Sequence, residues 1–129
     1  MAAYPIVTPV DLERVRRAAR TLARTLDFGA AAAECVVLAT LELATNLLRY
    51  AHEGMMCLDV VQGSAGMGIR VQSVDQGPGI ADVAQALTDG YSTGTGLGSG
   101  LPAVRRLMDT FALTTTPAGT RVVACKWRA

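Results

Sequence analysis

Glu42 and Asn46 stand four residues apart in an apolar segment that is rich in alanine and leucine. If that segment is helical, the spacing puts both side chains on one face, one turn apart. A carboxylate can take a proton from a hydroxyl group or a water molecule, and an amide oxygen is a hard, neutral ligand for Mg²⁺. The pair is a candidate general base beside a candidate metal ligand. Taken alone, it also fits a helix with two polar groups at its solvent edge.

A second candidate site begins at Asp75, directly after a predicted strand. Gly77 and Gly79 follow, and they remove side chains where a flat ligand would approach the backbone. A carboxylate at this strand end can accept a hydrogen bond from the exocyclic amine of adenine. The same residues also fit a simple strand-to-helix turn, because Asp, Gly and Pro are common turn residues.

The segment 91–100 carries glycines at alternate positions just before a predicted helix: Gly94, Gly96, Gly98 and Gly100. Such a loop presents backbone N–H groups to an anion at a helix N-terminus, and it can close as a lid. It is not a P-loop, because the only lysine of the chain is Lys126. It also does not match the dinucleotide fingerprint G-x-G-x-x-G. A flexible linker is the alternative, and the abrupt start of the helix argues against it.

Thr120, after Gly119, opens the last predicted strand, where its hydroxyl group can reach an adenine edge. Threonine is also simply a good strand former.

Apolar residues at three- and four-residue steps predict the helices, and alternation of apolar and polar residues predicts the strands. The predicted helices cover 8–26, 30–51, 82–87 and 99–109, and the predicted strands cover 55–62, 67–74, 111–116 and 120–127. This pattern predicts a two-layer α+β sandwich with helices on one face of a mixed, largely antiparallel sheet.

Composition narrows the function classes. The chain has 129 residues, 50% of them hydrophobic, and a net charge of +1. We expect a single domain over 1–129 and no nucleic-acid binding, because a dedicated binder usually has a strong basic excess. One histidine and three widely spaced cysteines favour neither a metal centre nor a disulfide framework. The N-terminus does not resemble a signal peptide, and the apolar stretches look too short to span a membrane. These features predict a cytoplasmic protein.

The first predicted helix carries a run of arginines outside its apolar face: Arg14, Arg16, Arg17, Arg20 and Arg24. Such a run is most often a solvated helix face. The alternative is a docking surface for an acidic partner.

In this order, the four candidate elements resemble those of the GHKL (Bergerat-fold) ATPases. The motifs Glu42-Leu-Ala-Thr-Asn46 and Asp75-Gln-Gly-Pro-Gly-Ile80 resemble those of the anti-sigma-factor serine/threonine kinases, as do Asp89-Gly-Tyr-Ser-Thr93 and the segment 98–109. Within that family the chain is most similar to the RsbT-type switch kinases of stressosome signalling. The resemblance is clearest over 27–127, and as a set the motifs are highly specific.

The resemblance implies a role for each residue. Asn46 would ligate the Mg²⁺ of Mg-ATP, and Glu42 would be the general base. Asp75 would bind adenine, in a pocket shaped by Gly77, Gly79 and Thr120. Residues 94–100 would form the ATP lid. Arg49 would lie near the phosphates.

The resemblance also implies a function, namely phosphorylation of serine or threonine on STAS-domain proteins and activation of a PP2C-type phosphatase upon release. One departure stands out, because residues 89–100 contain no Lys or Arg. Arg49, Arg105 or a partner's residue would then have to stabilise the γ-phosphate. The alternative function is a nucleotide-gated interaction module, or an anti-sigma factor, with little kinase activity. The intact Glu42 favours the kinase, because binding alone needs no base.

Overall fold

A five-stranded antiparallel sheet forms one layer of the computed structural model, which describes residues 2–50, 54–64, 66–76 and 100–128. The strands are β1 (Ala2–Ile6), β2 (Gly54–Gly63), β3 (Gly66–Asp75), β4 (Thr110–Thr116) and β5 (Gly119–Trp127), in the order β1-β2-β3-β5-β4. The helices are α1 (Pro9–Thr25), α2 (Ala30–Tyr50) and α3 (Gly100–Leu107). The predicted α+β class is confirmed. Every pairing between described strands is antiparallel, so this part of the chain shows no parallel component.

The core lies between one face of the sheet and the helices. Successive strand residues point to opposite faces, and the buried set alternates accordingly along the central strands: Met56, Leu58, Ile69, Val71, Val122 and Ala124. The helices add a second buried set: Val15, Ala19, Val36, Leu43 and Val104. Because α2 contacts both α1 and α3, it is the middle one of the three described helices. Its polar residues Glu42 and Asn46 are half-buried.

Strand β1 was not predicted. It is an edge strand of five residues, paired with β2 from Ala2–Leu58 to Ile6–Gly54. Pro5 lacks a backbone N–H group, which restricts it to an edge position of this kind. Tyr4 and Ile6 alternate inward, but so short a segment gives too few repeats for periodicity to detect.

The start of α1 follows the predicted cap. The Asp11 carboxylate accepts hydrogen bonds from the backbone N–H groups of Val7 at 2.8 Å and Thr8 at 2.9 Å. These bonds lower the pKa of Asp11, because they stabilise its charged form. The Thr8 hydroxyl group is 3.4 Å from the same carboxylate. Asp11 thus satisfies N–H groups at the helix start that α1 itself leaves without partners.

Among the described residues, one helix is long and apolar enough to cross a membrane by length and composition alone. It is α2, over Ala30–Arg49. The expectation that every apolar stretch is too short was therefore wrong for this helix. Several of its large apolar side chains pack inside the domain, where Val36, Val37 and Leu43 are buried, whereas Leu38 is exposed.

The indole ring of Trp127 packs against two glycines, Gly63 and Gly68, on the face of the sheet opposite the helices. A Cβ atom added at Gly63 would lie 2.7 Å from the ring. A Cβ atom at Gly68 would lie 2.5 Å from the ring and 2.8 Å from the carbonyl oxygen of Lys126. The ring can move, whereas the paired β5 backbone cannot move without breaking the sheet. Gly68 is therefore the position that requires the absence of a side chain.

We expect Gly68→Val to lower the free energy of unfolding by about 1–3 kcal/mol, the usual cost of forcing extra methyl groups into a packed position. Urea denaturation followed by circular dichroism measures this change. The matched control is Ala112→Val, which adds the same kind of bulk at an exposed position of edge strand β4 and should change stability little. Equal midpoints for Gly68→Val and the wild type would contradict the prediction.

Candidate active site

Glu42 lies on α2 and faces the start of α3. Its carboxylate accepts a hydrogen bond from the backbone N–H group of Gly100, the first residue of α3. Burial raises the pKa of Glu42, while the Gly100 hydrogen bond and the positive charge of Arg49 act in the opposite direction. A half-buried carboxylate with a raised pKa is a better proton acceptor than an exposed one. This is the environment that a general base needs.

Asn46 and Arg49 continue the polar side of α2 beyond Glu42. Asn46 is half-buried one helical turn later, and Arg49 is exposed in the last turn. Both arginines considered for the γ-phosphate, Arg49 and Arg105, are exposed, and Arg49 is the one whose charge acts on Glu42. A carboxylate, an amide and a guanidinium group therefore share one side of one helix.

Asp75 and Thr120 meet where β3 ends and β5 begins. They are paired residues of the sheet, and the Thr120 backbone N–H group donates to Asp75 Oδ1 at 3.3 Å. The Thr120 hydroxyl group lies 2.9 Å from that of Thr115, its partner on β4. One carboxylate and two hydroxyl groups thus form a row across three strands.

Gly119 makes this close arrangement possible. A Cβ atom at Gly119 would overlap the carbonyl oxygen of Asp75 and would lie 3.2 Å from the Cα atom of Gln76. Its φ angle of +154° is one that residues with side chains rarely adopt. The glycine thus lets β5 begin directly against the end of β3.

The two groups of residues lie at the same end of the sheet. Leu47 of α2 packs on Gly54, the first residue of β2. A Cβ atom added at Gly54 would lie 3.0 Å from the Cβ atom of Leu47. The next residue, Met55, pairs with Val74, which precedes Asp75. The C-terminal turns of α2 therefore lie over the strand ends that carry Asp75 and Thr120.

Several predicted site residues fall outside the described part of the chain: Gly77, Gly79, Gly94, Gly96 and Gly98. The helix predicted over 82–87 lies there too. Their assigned roles stay predictions. In the described part, the structure brings Glu42 together with Gly100 and Arg49, and it brings Asp75 together with Thr120.

Two features of the site were not predicted. The first is Thr115, whose place opposite Thr120 follows from a hairpin that pairs Thr116 with Gly119. The sequence signal was the threonine run before Pro117-Ala118-Gly119, which was interpreted only as strand. The second is the bond from Gly100 to Glu42. Gly100 was assigned to the lid on composition, and nothing local in the sequence connects it to a residue on another helix.

The donor set bears on what metal the site can hold. Among the described residues, no group of three or more His, Cys, Asp or Glu side chains could hold a metal ion. An ion held here through the Asn46 amide would take its other ligands from water and substrate oxygens. Mg²⁺ usually binds in this way, so the residues fit Mg²⁺ better than a metal that needs a full set of protein ligands.

Residues 7–126 match the family described as the histidine kinase-like ATPase domain. The chain belongs to this family. It is also 39% identical, over 123 residues, to the serine/threonine-protein kinase RsbT of Bacillus subtilis strain 168, covering 95% of this chain and 92% of that protein. For this ATPase domain, the predicted GHKL-type fold, the resemblance to RsbT-type kinases and the expectation of a serine/threonine kinase are confirmed.

Solved structures show the same ATPase-domain fold. The structure of the RsbU and RsbW domains of Rv1364c from Mycobacterium tuberculosis aligns with a TM-score of 0.64 at 15% identity, covering 98% of this chain and 32% of that one. A blue-light activated histidine kinase from Erythrobacter litoralis aligns with a TM-score of 0.58 at 23% identity, covering 95% of this chain and 41% of that one. The chain thus spans less than half the length of these two structures. At such identities the likeness concerns the fold alone.

Proposed function

We propose that this protein transfers the γ-phosphoryl group of Mg-ATP to a serine or threonine of a STAS-domain protein, within a partner-switching stress-signalling system. The observation that carries the proposal is the environment of Glu42, a half-buried carboxylate with a raised pKa, one turn from Asn46 on α2. Binding a nucleotide requires no proton acceptor. A partly desolvated carboxylate with a raised pKa therefore favours transfer to an acceptor hydroxyl group.

The remaining residues fit the binding of the nucleotide. Asp75 offers a carboxylate to the adenine amine, with Thr120 beside it. The amide of Asn46 is a suitable ligand for Mg²⁺, which offsets charge on the phosphate oxygens when it is bound. Arg49 supplies positive charge on the same side of α2 as Glu42. Arg49 can therefore take the place of a basic residue within 89–100, because a basic group outside the lid can also stabilise the phosphate.

The proposed step needs one proton acceptor from this chain. The acceptor hydroxyl oxygen forms a bond to the γ-phosphorus, the bond from that phosphorus to the β–γ bridging oxygen breaks, and ADP leaves with the electron pair. The hydroxyl proton moves to the Glu42 carboxylate. Phosphoryl transfer demands little covalent help from a protein, so positioning and electrostatic stabilisation account for most of the catalysis.

We assign the partners by resemblance to the switch kinases. The relative from Bacillus subtilis is a serine/threonine-protein kinase. In such systems the substrates are STAS-domain antagonist and scaffold proteins, and the released kinase activates a PP2C-type phosphatase. We extend both partner classes to this protein and place it in the cytoplasm as one ATP-binding kinase domain.

Transfer from γ-³²P-labelled ATP to a panel of STAS-domain proteins tests the proposal. We expect label on serine or threonine of at least one of them, dependent on Mg²⁺. Tight ATP binding without transfer to any STAS protein would favour the alternative, a nucleotide-gated interaction module or anti-sigma factor. The measurement therefore distinguishes the two functions by the covalent product.

The raised pKa of Glu42 predicts a pH dependence. Only the deprotonated carboxylate can accept the proton, so transfer should fall as the pH drops through the pKa of Glu42. Because burial raises that pKa above 4.5, the fall should begin at a higher pH than for an ordinary glutamate. The pH profile of kcat/KM for transfer measures it, and this acid limb should disappear in Glu42→Gln. An unchanged limb in that variant would assign it to another group.

Base selectivity should depend on Asp75. Guanine presents a carbonyl group where adenine has its amine, so the carboxylate would face an acceptor. We expect ATP to bind better than GTP, and Asp75→Asn to weaken ATP binding by about tenfold or more, because a hydrogen bond to a charged group contributes about 1.5–3 kcal/mol. Calorimetric titration of both nucleotides measures this. Equal affinities for ATP and GTP in the wild type would contradict the assignment.

A further inference from the structure

A groove of about 940 Å³ lies between α1 and the edge of the sheet formed by β1 and β2. Its apolar lining comes from all three elements: Ala2, Tyr4, Val10, Ala18, Leu22, Leu58 and Val60. Val10 is 60% exposed and Val60 is 45% exposed, which is unusual for large apolar side chains in this protein. Exposed apolar side chains that are gathered in a concave surface typically mark an interaction site.

The groove opens where the edge of the sheet forms a step. The described pairing of β1 with β2 starts at Ala2 and Leu58, whereas β2 continues to Gly63. On this side of β2, no described strand pairs with the residues beyond Leu58. Val60 therefore points to the helical face without the cover that its neighbours Met56 and Leu58 receive.

The charge at the rim of the groove is positive. The side chains of Arg14 and Arg17 line it and are 71% and 77% exposed, and their ion pairs are long, at 3.6 Å from Arg14 to Asp11 and 3.9 Å from Arg17 to Glu13. Two acidic residues also line it, but each is bound by an arginine from outside the groove. Arg16 donates to both carboxylate oxygens of Glu13, and Arg70 donates to both oxygens of Asp59.

We propose that this groove binds an amphipathic helix of a partner protein, whose apolar stripe is flanked by aspartate and glutamate. The apolar floor matches the stripe, and the exposed arginines match the acidic flanks. The lining runs along α1 from Val10 to Thr25, about 22 Å at 1.5 Å per residue. That length accommodates about four turns of a docked helix.

The groove is separate from the candidate active site. None of the residues that line it is Glu42, Asn46, Asp75 or Thr120, and α2 stands between α1 and α3 in the helical layer. The inference therefore does not depend on the proposed transfer reaction. It also assigns a docking role to Arg14 and Arg17, the two arginines of α1 that line the groove.

A panel of fluorescein-labelled helical peptides of 18 residues tests the proposal with the full chain. All peptides carry the same leucine stripe, and their flanks are Glu, Gln or Lys. Fluorescence anisotropy should give the affinity order Glu, then Gln, then Lys, and added salt should reduce the difference. No binding by any peptide, or equal binding by all three, would overturn the proposal.

Two variants matched in charge locate the binding surface. Arg17→Glu reverses a charge at the groove, and Arg121→Glu reverses an exposed charge on β5, on the face of the sheet opposite the helices, where Arg121 donates to Gln72. We expect Arg17→Glu to weaken binding of the Glu-flanked peptide by about tenfold, and Arg121→Glu to weaken it much less. Equal losses would mean that only the net charge matters and would overturn the proposal. ATP titration and circular dichroism confirm that both variants fold.

A second copy of this chain is the competing occupant. Sedimentation velocity of the wild type and of Val60→Asp distinguishes it, because Val60 is exposed enough to accept the change without unfolding the chain. A monomeric wild type whose peptide binding is lost in Val60→Asp supports the proposal. A wild-type dimer that Val60→Asp converts to a monomer would overturn it.

Discussion

Glu42→Gln is expected to slow phosphate transfer by about 10²–10⁴-fold, the usual contribution of a positioned general base. The substitution keeps the size and shape of the side chain and removes only its ability to take a proton at neutral pH. The amide oxygen can still accept the hydrogen bond from Gly100. ATP affinity should therefore stay close to the wild-type value while the rate of transfer falls.

The control for this experiment is Glu34→Gln on the same helix. Glu34 is exposed and forms an ion pair with Arg20 at 3.4 Å. Its substitution therefore removes the same charge at a position outside the candidate site. Transfer to a STAS-domain substrate and ATP titration are measured for both variants. Transfer by Glu42→Gln at the wild-type rate would show that the general-base role is wrong.

Asn46→Ala should have the second largest effect, on binding. If the amide oxygen ligates Mg²⁺, its loss should weaken the affinity for Mg-ATP by at least about 10–100-fold, the range found when even an outer-shell partner of a metal ligand is removed. ATP titration with Mg²⁺ and with EDTA separates the metal from the nucleotide. Affinity should fall strongly in Mg²⁺ and little in EDTA.

Thr45→Ala is the matched control for Asn46→Ala. Thr45 is the preceding residue of α2 and is also half-buried, so its truncation tests for a general effect on the helix. We expect its affinity for Mg-ATP to stay close to that of the wild type. If Asn46→Ala instead lost affinity equally with and without Mg²⁺, the residue would act on the nucleotide or on the fold.

The long elements of the fold could be predicted from the sequence because their signals repeat many times. Helix α1 offers four turns of apolar periodicity, and strands β2 and β3 alternate around a turn at Ser64. Strand β1 offers five residues and a proline, and it forms because β2 provides an edge on which it can pair. Pairing between segments that are distant in sequence leaves no local pattern.

The same distinction between local and long-range relations applies to the residues of the candidate site. Glu42 and Asn46 could be paired from the sequence because their relation is a spacing within one helix. The contact of Glu42 with Gly100 joins α2 to α3, and the row from Asp75 to Thr115 joins three strands. These arrangements depend on packing and on strand register, which the sequence specifies only through the whole fold.

The position of Trp127 determines what intrinsic fluorescence can report. It is the only tryptophan of the chain, and its ring lies over Gly63 and Gly68 on the face of the sheet opposite the helices. The proposed nucleotide binding near Glu42 and the proposed helix docking beside α1 would both take place on the other face. Tryptophan emission will therefore follow loss of the sheet but not those two events. A change in emission upon addition of a folded partner would instead indicate contact with the opposite face of the sheet.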